Sequence, residues 1–330
     1  MKLGLVLSGG GAKGAHQAGV FRAMDELGLR QQIYAVSGCS IGAINALLLA
    51  GSDPERWMEV WQRMRYEDLV LRDSAAAGMS ESSLTQKIAE LVAGLKNKGL
   101  EITNLSQFLS QSSLEPFSAD GMRRMLRQYV DFARLTKAPP YLWVCAYNLE
   151  REQPEYFSLL GRSEAEMIEL TLASASLPMI VPPIVFDGCH YCDGGVTPPY
   201  VHAKNADKIP VAALRGAGCQ LVVVLYLSHY DKVDLSGFPE GTKFLELYPS
   251  SPLEMVRGSG TLNLSRESIN EHILMGYQDG MAAFAPLLLE LAKGGDGDGA
   301  LARHAEYNRC LLEGKLPLLR RAEEALRAHV

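Results

Sequence analysis

Lys2-Leu3-Gly4-Leu5-Val6-Leu7 runs directly into Ser8-Gly9-Gly10-Gly11-Ala12-Lys13-Gly14, and this stretch decides the fold. Its first six residues make a short apolar run of the buried-strand kind, the glycines end it, and Ala15 to Leu27 carries helical spacing that Gly28 stops. Ile33 to Val36 is a second apolar run. Strand, glycine turn, helix and strand form a right-handed βαβ unit, so the two strands lie side by side or nearly so. The loops that follow them share one carboxyl edge. Ala15, Ala18 and Gly19 put a small face on the helix that lets it approach the sheet closely, while His16 reads as a hydrogen-bonded or solvated side chain.

Glycines at this point let consecutive backbone N–H groups converge at the positive end of a helix, which makes Gly9, Gly10, Gly11, Ala12, Lys13 and Gly14 an anion cradle. The anion is a phosphate or the oxyanion of a tetrahedral intermediate. The loop also satisfies the dinucleotide pattern G-x-G-x-x-G, but the acidic residue that would hold a ribose is missing. Val36-Ser37-Gly38-Cys39 stands at the end of the second strand instead. A plain strand-to-helix turn is the remaining reading.

Gly38-Cys39-Ser40-Ile41-Gly42 is a G-x-S-x-G placed where the second strand meets Ile41 to Ala50, a segment apolar or small nearly all round, as a core helix is. That is the setting of a nucleophile elbow, with Gly38 and Gly42 making room for a strained backbone at Ser40. Ser40 is the candidate nucleophile; the competing reading makes it a helix cap. Cys39 reads as a packed neighbour. A serine hydroxyl needs an acceptor for its proton. Asp-Gly occurs at Asp120, Asp187, Asp193, Asp279, Asp296 and Asp298, and Asp193 alone is followed by two glycines, Gly194 and Gly195. It also closes a strand-like run after the apolar Leu177 to Pro183. Burial there is expected to raise its pKa toward working pH, since an ordinary Asp near ~3.9 is a feeble base. His202, His229, His272, His304 and His329 follow in an order that a Ser-His-Asp carboxylesterase would allow. None has a motif around it, and Ser40 ends only the second strand, early for that architecture. A non-catalytic nucleotide or anion binder using Gly9 to Gly14 is the other alternative.

Residues 68 to 131, broken by Gly78, Gly94, Gly99 and Pro116, predict a helical covering region. Tyr141 to Tyr147 and Glu155 to Leu159 predict strands. Ser163 with Glu166 opens a helix reaching Ser176, and Val181 to Phe186 pairs with His190 to Cys192 around Asp187-Gly188 as a hairpin. Leu221 to Leu227 is a continuous buried strand, and Ser228 to Gly260 is expected as a lid or surface loop. Helical spacing over Ser265 to Lys293 and from Ala300 onward makes a C-terminal helical part of about 261–330, hinged at Gly294 to Gly299. The expected fold is α/β: a three-layer sandwich with a largely parallel central sheet, one domain over 1–330, and catalytic motifs within 1–200.

The 330 residues are 47% hydrophobic and 21% charged, which closes a core and excludes wholesale disorder. A net charge of -6 excludes nucleic acid as a partner. No apolar stretch approaches the ~18 to 20 residues of a membrane-spanning helix, so membrane contact is expected to be peripheral. Met1 to Leu7 is too short for a signal peptide. Six cysteines scattered along the chain suit a reducing compartment, with the cytoplasm as expectation. Cys189-His190-Tyr191-Cys192 lacks a second ligand pair and reads as structural thiols.

Taken in order, Gly9 to Gly14, Ser40 within Gly38 to Gly42, and Asp193-Gly194-Gly195 resemble the patatin-like phospholipase family. Ala173-Ser174-Ala175-Ser176-Leu177-Pro178 and Val181-Pro182-Pro183 resemble the stretch that family carries ahead of its aspartate, and Gly276-Tyr277 is a weaker echo. The likeness covers roughly residues 1 to 200. It implies a dyad of Ser40 as acyl-enzyme nucleophile and Asp193 as general base, an oxyanion hole from amides around Gly10, Gly11 and Ala12, and no metal or cofactor. It also implies phospholipase A-type hydrolysis of phospholipid or other acyl-lipid esters. Lys13 holds a position commonly basic in the family. Leu177, Met179 and Ile180 line the acyl entrance or belong to the core.

Overall fold

The computed structural model describes residues 1–65, 105–112, 118–135, 140–178, 180–202, 204–253 and 263–314. Their strands are β1 (Leu3–Leu7), β2 (Ile33–Cys39), β3 (Tyr141–Asn148), β4 (Gln153–Ser158), β5 (Ile184–Phe186), β6 (Cys189–Asp193), β7 (Leu221–Leu225) and β8 (Lys243–Leu247). The helices are α1 (Ala15–Glu26), α2 (Ile41–Gly51), α3 (Pro54–Arg63), α4 (Leu105–Ser112), α5 (Asp120–Tyr129), α6 (Phe132–Leu135), α7 (Glu164–Ala175), α8 (Arg266–Ala292) and α9 (Asp298–Leu312).

Strands β3, β2, β1, β7 and β8 lie next to one another in that order and all run parallel. Beyond β3 the sheet turns antiparallel, through β4, β6 and β5. Alternation along the strands sorts the core into two faces. Leu3, Leu5, Leu7, Val223 and Leu225 point to the side covered by α1, α2, α3, α7 and α8, whereas Val6, Ala35, Val222 and Val224 point to the other. The second face is closed by Ile209, Val211, Leu214 and Leu311, that is, by an irregular segment and the end of α9. Each such side chain contributes about 1.5–3 kcal/mol by leaving water. The architecture is therefore α/β in three layers around a largely parallel sheet, with unequal outer layers.

Local chemistry accounts for the boundaries. Glu166 N–H donates to Ser163 Oγ at 3.3 Å and Ser163 N–H to Glu166 Oε2 at 2.8 Å, so α7 begins in a capping box. Gly19 turns toward α8 rather than the sheet: a methyl there would overlap the Ile273 carbonyl, and one on Gly276 the His16 carbonyl. The two helices cross backbone to backbone, and His16, fully buried, places Nε2 2.8 Å from Asp279 Oδ2 of α8.

One more expectation changes. Ser228 to Gly260 is not only a lid or loop, because it holds β8, paired in parallel register with β7 from Leu221↔Lys243 to Leu225↔Leu247. As an edge strand β8 buries only Leu245 and Leu247 fully, so its polar Lys243 and Glu246 hid it in a polar segment. Of the expected covering region, α4 and α5 are described, and α5 lays Met122 and Leu126 into the helical core. Residues 66–104 and 113–117 lie outside the described residues, as do Met179, 254–262 and the end of the C-terminal part from 315, with His329.

Candidate active site

β2 ends at Cys39 and α2 begins at Ile41, so a single residue turns the chain. Ser40 has φ 57°, a positive value rare for a residue with a side chain and costing about 1–3 kcal/mol. The turn is tight enough that a methyl on Gly38 would strike the Gly42 carbonyl, and one on Gly42 the carbonyl of Leu7 at the end of β1. Ser40 makes no side-chain capping bond; its carbonyl accepts the N–H groups of Ala43 and Ile44 in α2, and the residue is half-buried.

Ser40 and Asp193, 153 residues further along the chain, line the same cavity. Sheet register explains how they meet. β2 pairs with Tyr141 to Cys145 of β3, whereas β6 pairs with Ala146 to Asn148. Since β4 occupies the opposite edge along Trp143 to Asn148, β2 and β6 share one edge of β3 and approach head-on, carboxyl end to carboxyl end. Cys39 sits opposite Cys145 and Asp193 opposite Ala146, one step apart. The end of α7 ties both in place. Ser40 N–H donates to Ser174 Oγ at 3.0 Å, Ser174 Oγ donates to the Cys145 carbonyl at 2.5 Å, and Asp193 N–H donates to the Ser176 carbonyl at 2.9 Å.

Asp193 is 2% exposed. Burial raises its pKa to about 6, against the hydrogen bonds from Ser40 and from Gly195 N–H, which reaches Oδ1 at 2.9 Å. Cys39 Sγ lies 4.0 Å from the same oxygen, and burial pushes that thiol far up, which leaves it a packed neighbour.

The glycine loop stands beside the elbow. Gly9 N–H is taken by the Lys208 carbonyl at 2.8 Å, and Lys13 N–H closes onto Gly10 O at 3.4 Å. Gly11 and Ala12 open a short 3-10 turn, Gly11–Gly14, and the first N–H groups of such a turn have no partner within it. A buried polar net fixes the loop: Asn45 Nδ2 donates to Gly14 O and Gln17 Oε1, Gln17 Nε2 to Ser8 O, and Trp61 Nε1 to Asn45 Oδ1.

A cavity of about 330 Å³ opens over these groups. Gly9 to Lys13, Ser40, Asp193 and Gly195 form its polar floor, and Ile44, Trp61, Met122, Leu177, Ile180 and Leu264 are among its apolar walls. Leu177 and Ile180 thus line the cavity and also pack on the core. Among the described residues no histidine lines this cavity: His16 faces Asp279, His190 Nδ1 meets Glu150, and His229 and His304 meet the carbonyls of Pro249 and Glu246. Ser174, Asn45 and Lys208 are site residues that motif reading misses. Ser and Asn inside otherwise apolar helices are the only signal the first two leave.

Fold and site together define an α/β protein in which an elbow serine, a buried carboxylate and a glycine loop line one cavity. The chain belongs to the patatin-like phospholipase family, whose model matches residues 5–203 and so spans both Ser40 and Asp193. A lysophospholipase of Aspergillus terreus is 24% identical over 236 residues, 72% of this chain and 12% of that protein's length. Among solved structures, VipD from Legionella pneumophila aligns at TM-score 0.40 and 16% identity, covering 85% of this chain and 66% of its own. Human GIVD cytosolic phospholipase A2, in complex with methyl gamma-linolenyl fluorophosphonate and terbium chloride, aligns at 0.43 and 14%, covering 88% and 59%. Family membership supports a lipid hydrolase function.

Proposed function

We propose that this chain is a serine lipid acyl hydrolase of the phospholipase A type, working through a Ser40–Asp193 dyad. The observation that carries the reading is an elbow serine lining one cavity with a buried carboxyl whose pKa burial raises to about 6, high enough to accept a proton and low enough to be ionised at neutral pH.

Ser40 Oγ attacks the ester carbonyl while its proton passes to Asp193. The tetrahedral oxygen is held by amides of Gly10, Gly11 and Ala12, with Gly9, Lys13 and Gly14 shaping the loop; one such donor is typically worth about 3–4 kcal/mol in the transition state. The positive end of α2 favours the same charge. Protonated Asp193 then gives its proton to the departing alcohol. The carboxylate so regenerated activates water against the acyl-enzyme, releasing the fatty acid and restoring Ser40. One group serves both half-reactions, and none of these steps asks for a histidine.

The substrate is a phospholipid or another acyl lipid presented at a membrane surface that the protein meets peripherally. No described helix is long and apolar enough to cross a membrane. The six cysteines are all free thiols, which fits action in the cytoplasm.

Labelling by a fluorophosphonate tests the activated serine, and the lipid products of the wild type against Ser40→Ala test the substrate. Labelling at residue 40 with release of free fatty acid is expected. An unlabelled protein that binds nucleotide would turn the reading to the anion-binding alternative.

A further inference from the structure

The wall of the cavity nearest the two catalytic loops carries a lysine that no motif announces. Lys208 lies between them: its carbonyl accepts Gly9 N–H at 2.8 Å, and Asp207 beside it donates N–H to the Gly194 carbonyl at 2.8 Å. Its side chain starts against Gly195, where a methyl would stand 2.6 Å from Lys208 Cβ, and lines the cavity. The ammonium is 2.6 Å from Asp231 Oδ1. The lysine side chain is 40% exposed and its residue lines the cavity, whereas Asp231 is 8% exposed and is not among the lining residues. The other oxygen of Asp231, Oδ2, is buried and has no hydrogen-bond partner among the described residues.

A buried carboxylate with one idle oxygen holds the ammonium of a partly exposed lysine that lines the same cavity as Ser40, Asp193 and Lys13. Such a cation can turn from its counter-ion toward an anionic group of the substrate, and Asp231 holds it when the site is empty.

We propose that Lys208 is a specificity-determining residue that takes the phosphodiester of a phospholipid headgroup while the ester lies over Ser40, with Asp231 as its resting partner. This rests on the hydrolase reading above and names the lipid class within it. Phosphate-bearing lipids are preferred over uncharged acylglycerols because only they replace the Asp231 contact with another charge-assisted one.

The full chain, its Lys208→Met and Lys208→Arg forms, and Asp231→Asn are assayed in the same detergent micelles on two pairs with identical acyl chains: phosphatidylcholine against diacylglycerol, and lysophosphatidylcholine against monoacylglycerol. Lys208→Met should lower the phospholipid-to-acylglycerol ratio of kcat/KM about tenfold, chiefly through KM, the loss of one charge-assisted bond. Lys208→Arg should restore most of the ratio, and Asp231→Asn, which releases the lysine, should raise it. Equal losses on both members of a pair, or an unchanged ratio, would overturn the proposal and leave the hydrolase reading standing. A wild type that cleaves neither pair overturns both. Inorganic phosphate separates headgroup from free anion. Added at millimolar concentration to the acylglycerol assay, it should leave the wild type unaffected, and inhibition lost in Lys208→Met would assign Lys208 to free phosphate instead.

Discussion

The two halves of the site are built differently. The nucleophile half is continuous in sequence: β1, its glycine loop, α1, β2 and α2 follow one another within residues 3–51, and neighbouring parallel strands bring Gly9–Gly14 and Ser40 to one edge. The base half arrives from far along the chain on an antiparallel strand that meets β2 head-on. The first is locked by backbone packing, since Gly42 has no space for a methyl against Leu7. The second rests on short pairing with β3 and on one hydrogen bond from the end of α7, Asp193 N–H to the Ser176 carbonyl. Motifs therefore fix where the serine stands, whereas the reach between serine and base depends on register and on Ser174 and Ser176.

Breaking either half at its reacting atom should have the largest effect. Ser40→Ala should lower kcat on an acyl ester by about 10⁴-fold or more, and Asp193→Asn by a similar factor, measured under saturating substrate. The two should part in stability. Folded Asp193 keeps its proton up to about pH 6, the unfolded chain only to about 3.9, so the folded state binds more protons between these values. Stability then falls as pH rises through that window. Asp193→Asn escapes this loss and should be more stable at pH 7 by about 2–3 kcal/mol in denaturant titration, a gain Ser40→Ala does not share.

Gly42→Ala attacks the locked half. It should cost about 3 kcal/mol or more and abolish labelling of Ser40 together with the folded signal, because backbone has to move. Ser174→Ala removes the tether between Ser40 and β3 and should sharpen the contrast: kcat falls about 10- to 100-fold, with about 1–2 kcal/mol of stability lost and the fold kept. A Ser174→Ala enzyme of wild-type rate would show that the tether does not set the reach. The smallest effect is that of acid on the wild type. With Asp193 as base, turnover of a soluble ester should halve near pH 6 and drop about tenfold for each unit below it.

What could be read from sequence follows the same division. The βαβ start, the buried run at Leu221 and the Ser163–Glu166 cap are local patterns, and they appear where their spacing puts them. β8 was hidden because an edge strand need bury only every second residue, which in Lys-Phe-Leu-Glu-Leu leaves polar positions open. The face of α1 that holds Gly19 meets α8 rather than the sheet, because smallness permits close approach without naming the partner. Asp193 could be chosen by its two glycines, but its meeting with β2 is a property of pairing along β3 that no short motif encodes. Lys208 left no trace, since its place follows from a carbonyl that happens to take Gly9 N–H.

The account stands on proton transfer between residues 40 and 193, and the pH dependence of fluorophosphonate labelling of wild type and Asp193→Asn measures it without a lipid interface. The wild-type labelling rate should rise with an apparent pKa near 6 and level off above it, and Asp193→Asn should label slowly at every pH with no inflection. An Asp193→Asn protein that labels as fast as the wild type, with the same profile, would contradict it.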